Sequence, residues 1–239
     1  MIRSSPKTEF DPENRYSVPL SLGTTGILIR RPPGKVIEES WGLIFDPARQ
    51  PGPFLLIEDP RGCIDAAMNF KGHQPNGTDP KELAEARDLL VEVKKRSLGF
   101  AIPATAANRV LSKEAVMAMS ASNEAARVMK EDRELYFFLP REGGGKWVDH
   151  LAIPNRAPHR DLAEKFINYL LDGRVSAQFC AFNHMGSANK AALEFISPED
   201  RKNPAIYPSP EAIARLWYGK DLGEKQKLYD ELWTQIKAK

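Results

Sequence analysis

Glu142-Gly143-Gly144-Gly145-Lys146-Trp147-Val148-Asp149-His150 is the stretch around which the rest of the chain can be organised. Its three successive glycines lack Cβ atoms and free the backbone from the usual steric limits. A run with strand character follows, from Trp147 to Ile153. Because alternate residues of a strand share a face, Trp147 and Asp149 are predicted to point the same way.

An indole ring beside a carboxylate is a suitable surface for an organic cation. The carboxylate of Asp149 would supply Coulomb attraction, and the ring of Trp147 would supply cation–π attraction and an apolar wall. A structural alternative stays open, in which Trp147 belongs to the core and Asp149 is solvated or stabilises a turn. The spacing alone does not decide between them.

The composition is that of an ordinary globular protein, long enough for one large or two smaller domains. The chain has 239 residues, of which 42% are hydrophobic and 28% charged, and its net charge of +2 predicts no strong attraction to nucleic acid or acidic membranes. Its longest apolar runs are too short to span a membrane, and residues 1–5 lack the apolar core of a secretory signal. The two cysteines, Cys63 and Cys180, are interpreted as small buried hydrophobic residues.

Short apolar runs alternate with amphipathic stretches, which indicates an α/β fold. Strands are predicted at 16–22, 26–29, 54–57, 116–120, 135–139 and 147–153. Helices are predicted at 40–45, 61–70, 80–96, 122–130, 161–171, 173–182, 190–196, 198–202, 210–217 and 224–237.

Two of these helices have informative starts, and one has a strong apolar face. Asp59 precedes Pro60, so it can cap the helix at 61–70 or bind a ligand, and both roles stay open. Ser122 is predicted to cap the helix at 122–130. The helix at 161–171 is the most amphipathic, and its apolar face consists of Leu162, Ala163, Phe166, Ile167 and Leu170.

The motifs of common enzyme classes are absent from the sequence. There is no GxGxxG, Walker A, GxSxG or HExxH pattern, and the four histidines are scattered. His150 is predicted to lie on the strand face opposite Asp149, so the two cannot easily act together as acid and base. We therefore expect no enzyme activity, no cofactor and no metal site.

An ordered set of short motifs covers the chain from about Phe10 to its C-terminus. The set consists of Phe10-Asp11-Pro12, Tyr16-Ser17-Val18-Pro19, Gly23-Thr24-Thr25-Gly26, Ser40-Trp41, Leu56-Ile57-Glu58-Asp59-Pro60-Arg61, Asn76-Gly77-Thr78-Asp79-Pro80, Pro140-Arg141-Glu142-Gly143-Gly144, Trp147-Val148-Asp149, Leu151-Ala152-Ile153-Pro154, Lys165-Phe166-Ile167-Asn168-Tyr169-Leu170-Leu171 and Asn203-Pro204-Ala205-Ile206-Tyr207-Pro208. Together they resemble the spermidine/putrescine-binding proteins of ABC importers.

The resemblance implies a two-lobed periplasmic-binding-protein fold of type II, with the ligand in a cleft that closes by hinge bending. Lobe two would comprise residues 27–149 and 196–239, whereas 1–26 and 150–195 would form a remnant of lobe one. The family places a substantial segment before the Phe-Asp-Pro motif, so lobe one is expected to be incomplete. The apolar face of the helix at 161–171 would then lack part of its packing surface, and association with a second copy could complete it.

The resemblance also implies which residues contact the ligand. The Asp after the apolar strand and the Trp-x-Asp pair of the family fall on Asp59, Trp147 and Asp149. Ser122 is retained beside a position where the family has a tryptophan, and Met185 replaces an aromatic residue. These five are the predicted ligand-binding residues.

Several positions depart from the family pattern. Gly62 stands where the family often has an acidic residue, Ala121 where it has the cleft tryptophan, and Gly219 where it has an amide. Loss of one carboxylate and two rings would weaken polyamine binding, at roughly 1–3 kcal/mol for each contact.

The sequence therefore predicts a periplasmic solute-binding protein that delivers a polyamine or a similar cation to an ABC transporter permease. Two alternatives stay open: the same fold binding another solute, and a truncated remnant that oligomerises without transport. The periplasmic location follows from the resemblance only.

Overall fold

The computed structural model describes residues 11–31, 34 and 36–238. The strands are β1 (Ser17–Arg30), β2 (Phe54–Ile57), β3 (Phe100–Ala101), β4 (Met117–Ala121), β5 (Leu135–Phe138), β6 (Gly145–Ala152), β7 (Gly186–Ser187) and β8 (Trp217–Tyr218). The α-helices are α1 (Gly42–Phe45), α2 (Pro60–Phe70), α3 (Pro80–Arg96), α4 (Pro103–Leu111), α5 (Ser122–Glu131), α6 (Arg160–Leu170), α7 (Gly173–Asn183), α8 (Pro198–Lys202), α9 (Pro210–Ile213) and α10 (Gln226–Ala238). Short 3₁₀ helices cover Pro47–Arg49, Lys190–Glu194 and Gly223–Lys225.

The chain divides into two compact units, with one boundary within β1, one within β6 and one between Tyr207 and Pro208. Unit 1 contains the chain up to Gly23 together with Trp147–Tyr207, and unit 2 contains Thr24–Lys146 together with Pro208–Lys239. The mixture of strands and helices agrees with the predicted α/β class. The assignment of 1–26 with 150–195 and of 27–149 with 196–239 to two lobes stays a prediction.

Unit 2 is built on a sheet with the order β3-β2-β4-β1-β5. β2 pairs in parallel with β3 and β4, and the second half of β1 pairs antiparallel with β4 and β5. Ile27 lies between Met119 and Phe138 in this register. All four residues of β2 are buried, which is typical of a strand covered on both faces and confirms the strand predicted at 54–57.

The core of unit 2 is large and includes bulky side chains from strands and helices. Trp41, Phe54, Ile64, Leu90 and Tyr229 belong to one cluster, and each is fully buried. Burial of this much apolar surface is the main favourable term in folding, at about 25 cal/mol for each Å². Unit 2 therefore has a substantial core of its own.

Unit 1 has a much smaller buried cluster. Ala177, Ala192 and Ile196 form it, with Tyr207 packed against them. The first half of β1 pairs antiparallel with the two-residue strand β7. Helices α6, α7 and α8, the 3₁₀ helix Lys190–Glu194 and the second part of β6 also belong to this unit.

Helix α6 confirms the predicted helix at 161–171, but most of its apolar face is uncovered. Only Leu170 among its residues is buried, whereas Leu162 is 56% and Phe166 59% exposed. Ala163 and Ile167 are partly buried. The face therefore lacks part of its packing surface, as the resemblance led us to expect.

Two local predictions were wrong. The strands predicted at 16–22 and 26–29 form one continuous strand, β1, because Gly23-Thr24-Thr25-Gly26 stays extended and pairs with β4 from Thr25 onward. Ser122 is the first residue of α5 rather than its cap, since Ala121 takes the capping position and provides no side-chain hydrogen bond.

No helix within the described ranges combines the length and the apolar character needed to cross a membrane.

Trp147 of β6 packs directly on the backbone of Gly23 in β1. A Cβ atom at position 23 would lie 2.3 Å from Cζ2 and 2.7 Å from Cε2 of the indole. Both distances are far shorter than van der Waals contact, so any side chain at position 23 would displace the ring. Glycine is therefore required here for close packing rather than for an unusual φ.

We predict that Gly23→Ala destabilises the protein by about 1–3 kcal/mol, the usual cost of overpacking. Urea unfolding followed by tryptophan fluorescence measures this difference. Gly219→Ala is the matched control, because a Cβ atom at position 219 would meet no atom within 4 Å. The control should stay within about 0.5 kcal/mol of the wild type. Equal stability of the two variants would refute the packing argument.

Candidate functional site

The glycine run before Trp147 is a packing junction within unit 2. Gly143 has a φ of +121°, and a Cβ atom there would lie 2.4 Å from the carbonyl oxygen of Arg215. The indole Nε1 of Trp41 donates to the carbonyl oxygen of Gly143 at 2.9 Å. A Cβ atom at Gly144 would lie 2.5 Å from the carbonyl oxygen of Thr25. These close contacts need glycine and fix where β6 begins.

Trp147 and Asp149 lie two residues apart in β6 and contact alternate residues of β1. The indole of Trp147 covers Gly23, and Oδ2 of Asp149 accepts a hydrogen bond from Oγ of Ser21 at 2.8 Å. Because Ser21 and Gly23 are also two residues apart in a strand, the two contacts place the predicted pair on one face. The structure therefore brings the indole and the carboxylate together.

Both members of this pair are at least partly accessible. Trp147 is half-buried, so one side of the ring packs on the chain while part of the side chain stays accessible. Asp149 is exposed, and its carboxylate is held on one oxygen by Ser21. A cation placed beside Asp149 could contact the second oxygen and the ring together.

His150 belongs to a separate hydrogen-bonded chain at the start of β1. Its Nδ1 lies 2.9 Å from Oγ of Ser17, which donates to Oδ2 of Asp11 at 3.0 Å. A hydroxyl carries one proton, so Nδ1 of His150 is the donor to Ser17 in this arrangement. The main-chain N–H groups of Arg15, Tyr16 and Ser17 also donate to the Asp11 carboxylate.

These contacts shift two pKa values in unit 1. Burial alone would raise the pKa of Asp11, but the donors from Arg15, Tyr16 and Ser17 outweigh it and lower the pKa. Burial lowers the pKa of His150, against the opposing influence of the Asp11 and Asp149 carboxylates. Asp11 thus stays ionised and anchors the beginning of β1. The Nδ1 atom of His150 is hydrogen-bonded to Ser17, so His150 is tied to the start of β1.

Asp59 caps helix α2 in unit 2, which confirms the capping role left open by the sequence. Its Oδ1 accepts from the main-chain N–H of Arg61 at 3.1 Å, and Pro60 takes the first helical position. A Cβ atom at Gly62 would lie 2.6 Å from Oδ2 of Asp59. The observed position of this half-buried carboxylate therefore depends on glycine at 62. Binding of a ligand by Asp59 stays a prediction.

A buried network beside Asp59 holds the C-terminal part of unit 2. The carboxylate of Asp65 is 2% exposed and accepts from the hydroxyl of Tyr229 at 2.9 Å and the main chain of Asn76 at 2.8 Å. The guanidinium of Arg61 lies over the Tyr229 ring, 4.6 Å from its centroid, and donates to Gln226 at 3.0 Å. Burial raises the pKa of Asp65 and of Tyr229. This network joins Arg61 of α2 to Gln226 and Tyr229 of α10.

Ser122, another predicted ligand residue, is 2% exposed in unit 2. Its Oγ accepts from the main-chain N–H of Thr24 at 3.1 Å and so joins α5 to β1. The neighbouring Ala121 is also buried, at 7% exposure. A ligand role for Ser122 stays a prediction.

Met185 follows the C-terminal end of α7 in unit 1. His184 ends that helix in the left-handed conformation, with a φ of +55°, and the main-chain N–H of Met185 donates to the carbonyl oxygen of Cys180 at 2.9 Å. The half-buried side chain lines a small depression with Cys180, Ile206 and Tyr207. Its contact with a ligand also stays a prediction.

Ser21 is not among the ligand-binding residues predicted from the sequence, although its hydroxyl donates to the carboxylate of Asp149. The sequence contains only an indirect sign of this role. Ser21 is a polar residue in a predicted strand, two residues before the first glycine of the Gly23-Thr24-Thr25-Gly26 motif. Only the pairing of β1 with β6 shows that Asp149 is its partner. Long-range neighbours of this kind cannot be read from local patterns.

Residues 7–208 match the sequence family described as bacterial extracellular solute-binding protein. The chain is 31% identical to the putrescine/cadaverine-binding protein of Pseudomonas aeruginosa, over 97% of this chain and 69% of that protein. It is 30% identical to the spermidine/putrescine-binding periplasmic protein of Escherichia coli, over 96% of this chain and 66% of that protein. The chain thus spans about two thirds of the length of these relatives.

Solved structures of similar proteins identify the fold. A spermidine/putrescine ABC transporter protein from Listeria monocytogenes is 27% identical, with a TM-score of 0.88, over 98% of this chain and 72% of that one. The substrate-binding protein of the spermidine/putrescine ABC transporter from Streptococcus pneumoniae is 23% identical, with a TM-score of 0.84, over 97% of this chain and 72% of that one. The fold is that of the periplasmic binding proteins, and the chain is shorter than those relatives. The chain belongs to the family of bacterial extracellular solute-binding proteins.

Proposed function

We propose that this protein binds a polyamine, with putrescine or cadaverine as the simplest case, as the solute-binding component of an ABC importer. The observation that carries the proposal is the exposed carboxylate of Asp149 beside the half-buried indole of Trp147. The polyamine names of the relatives support the same ligand class.

The chemistry of a polyamine matches this surface. Such a molecule carries ammonium groups separated by methylene chains, so it needs a negative charge beside an apolar wall. Asp149 would accept a hydrogen bond from one ammonium group, and the flat ring of Trp147 would cover the adjoining methylenes. Asp59 is proposed to meet a further ammonium group, and Ser122 and Met185 to complete the ligand contacts.

The partners and location follow from the same proposal. The protein would deliver its ligand to the membrane permease of an ABC transporter, and it would work in the periplasm without catalysing a reaction. The relatives are named as binding proteins, and two of them carry polyamine names. They give no support to the two alternatives, another solute or a remnant that does not transport.

Calorimetric titration with putrescine, cadaverine and spermidine tests the proposed ligand. The wild type should bind at least one of them, and Asp149→Asn should abolish that binding because it removes the charge that faces the ammonium group. Asp161→Asn is the matched control, since it removes an exposed carboxylate of the same unit that lies on α6. Affinity that is unchanged in Asp149→Asn would contradict the proposal.

Two substitutions of Asp59 separate its capping role from its proposed ligand role. Asparagine caps helices about as well as aspartate, so Asp59→Asn should keep stability and lose polyamine affinity. Asp59→Ala should lose both, with about 1 kcal/mol of destabilisation from the missing cap. Thermal unfolding and calorimetry measure the two effects. If Asp59→Asn binds as tightly as the wild type, Asp59 is a cap only.

The uncovered face of α6 is proposed to contact a second copy of the chain. Leu162, Phe166 and Tyr169 recur at helical spacing on this face, and each is more than half exposed. Size-exclusion chromatography with light scattering should show a dimer or larger species for the wild type, and Phe166→Ser should shift it to the monomer. A wild type that stays monomeric at high concentration would rule this contact out.

A further inference from the structure

A buried hydroxyl lies directly behind the exposed carboxylate of the candidate site. Ser21 is 1% exposed, whereas Asp149 is exposed, and the Oγ–Oδ2 distance between them is 2.8 Å. The hydrogen bond therefore runs from the interior of unit 1 to a charged group at its surface. Such bonds to an ionised acceptor are stronger than those between neutral groups.

The position of Ser21 is itself fixed by the surrounding backbone. In β1 it pairs with Ser187 of β7, and the main-chain N–H of Ser187 donates to the hydroxyl of Tyr207 at 3.1 Å. Ser187 is buried, and Tyr207 packs against the small cluster of unit 1. The Ser21 hydroxyl that donates to Asp149 thus belongs to a backbone segment that is held in place by strand pairing and burial.

We propose that Ser21 is a positioning residue that holds Asp149 in one rotamer and directs Oδ1 towards the ammonium group of the ligand. This inference rests on the proposed polyamine-binding function. An exposed aspartate without such a donor samples several rotamers, and binding must then order it at an entropic cost. Because the hydrogen bond from Ser21 orders the Asp149 side chain during folding, the carboxylate is already oriented when the cation binds, and this entropy is not lost on binding.

A purely structural role makes a different prediction. If the hydrogen bond only joined β1 to β6, its loss would lower stability and would affect ligand affinity no more than the loss of another buried serine hydroxyl. Ser120 provides this comparison, because it is fully buried in β4 and its Oγ donates to the carbonyl oxygen of Ala121 at 3.2 Å.

The experiment compares the wild type, Ser21→Ala and Ser120→Ala in three measurements. Thermal unfolding checks that each variant is folded, and calorimetry gives the Kd for putrescine, cadaverine and spermidine. Three-bond NMR couplings from the carboxyl carbon of Asp149 to its backbone nitrogen and carbonyl carbon report its χ1 rotamer without ligand.

We expect one rotamer of Asp149 in the wild type and in Ser120→Ala, and averaging between rotamers in Ser21→Ala. The Kd of Ser21→Ala should rise about five- to tenfold, and that of Ser120→Ala less than twofold.

A single Asp149 rotamer in Ser21→Ala would overturn the positioning role. Equal weakening of binding by both variants would also overturn it, because stability alone would then explain the effect. The failure of the polyamine proposal has a distinct signature. The wild type would then bind none of the three ligands, while the rotamer measurement would still decide whether Ser21 orients Asp149.

Discussion

The close packing of the Trp147 indole on Gly23 is the contact on which the candidate site depends. It requires a residue without a side chain at one position of β1, and it fixes the face of β6 that carries the ring. Strand alternation then places Asp149 on the same face, opposite the Ser21 hydroxyl. A shift of register by one residue would turn both side chains to the other face, so packing and chemistry are coupled here.

The two units differ in how their interiors are packed. Unit 2 has a large core of strands and helices around Trp41, Phe54 and Tyr229. Its glycines Gly143 and Gly144 fit closely against Arg215 and Thr25 just before Trp147. Unit 1 has a small core and an apolar helix face that is mostly uncovered. Within unit 1, packing on Gly23 positions the predicted ligand residue Trp147, and the hydrogen bond from Ser21 positions the predicted ligand residue Asp149.

Much of the fold could be predicted from local sequence signals. The run Phe54–Ile57 and the Asp59-Pro60 start of α2 both act over a few residues, and the structure contains the strand and the cap. The prediction of two separate strands on either side of Gly23 was wrong. Pairing with β4 keeps the glycine-containing segment extended, so the two form one strand. Ser122 was predicted to be a cap because of its residue type. In the structure its hydroxyl instead accepts a hydrogen bond from the main-chain N–H of Thr24, which is distant in sequence.

The candidate site depends even more on contacts that local sequence patterns do not predict. Alternation along β6 predicts that Trp147 and Asp149 share a face, but it cannot identify Ser21 or Gly23 as their neighbours. The amphipathic pattern of α6 likewise identifies its apolar face without showing whether that face is covered. These features arise from contacts between distant segments, and only the tertiary structure contains that information.

The most direct test of the account is a crystal structure of the protein grown with putrescine. It should show an ammonium nitrogen within hydrogen-bond distance of Oδ1 of Asp149, with the methylene chain against the indole of Trp147 and the Ser21 hydroxyl still bonded to Oδ2. Putrescine bound elsewhere, with no contact to Trp147 or Asp149, would contradict the central claim.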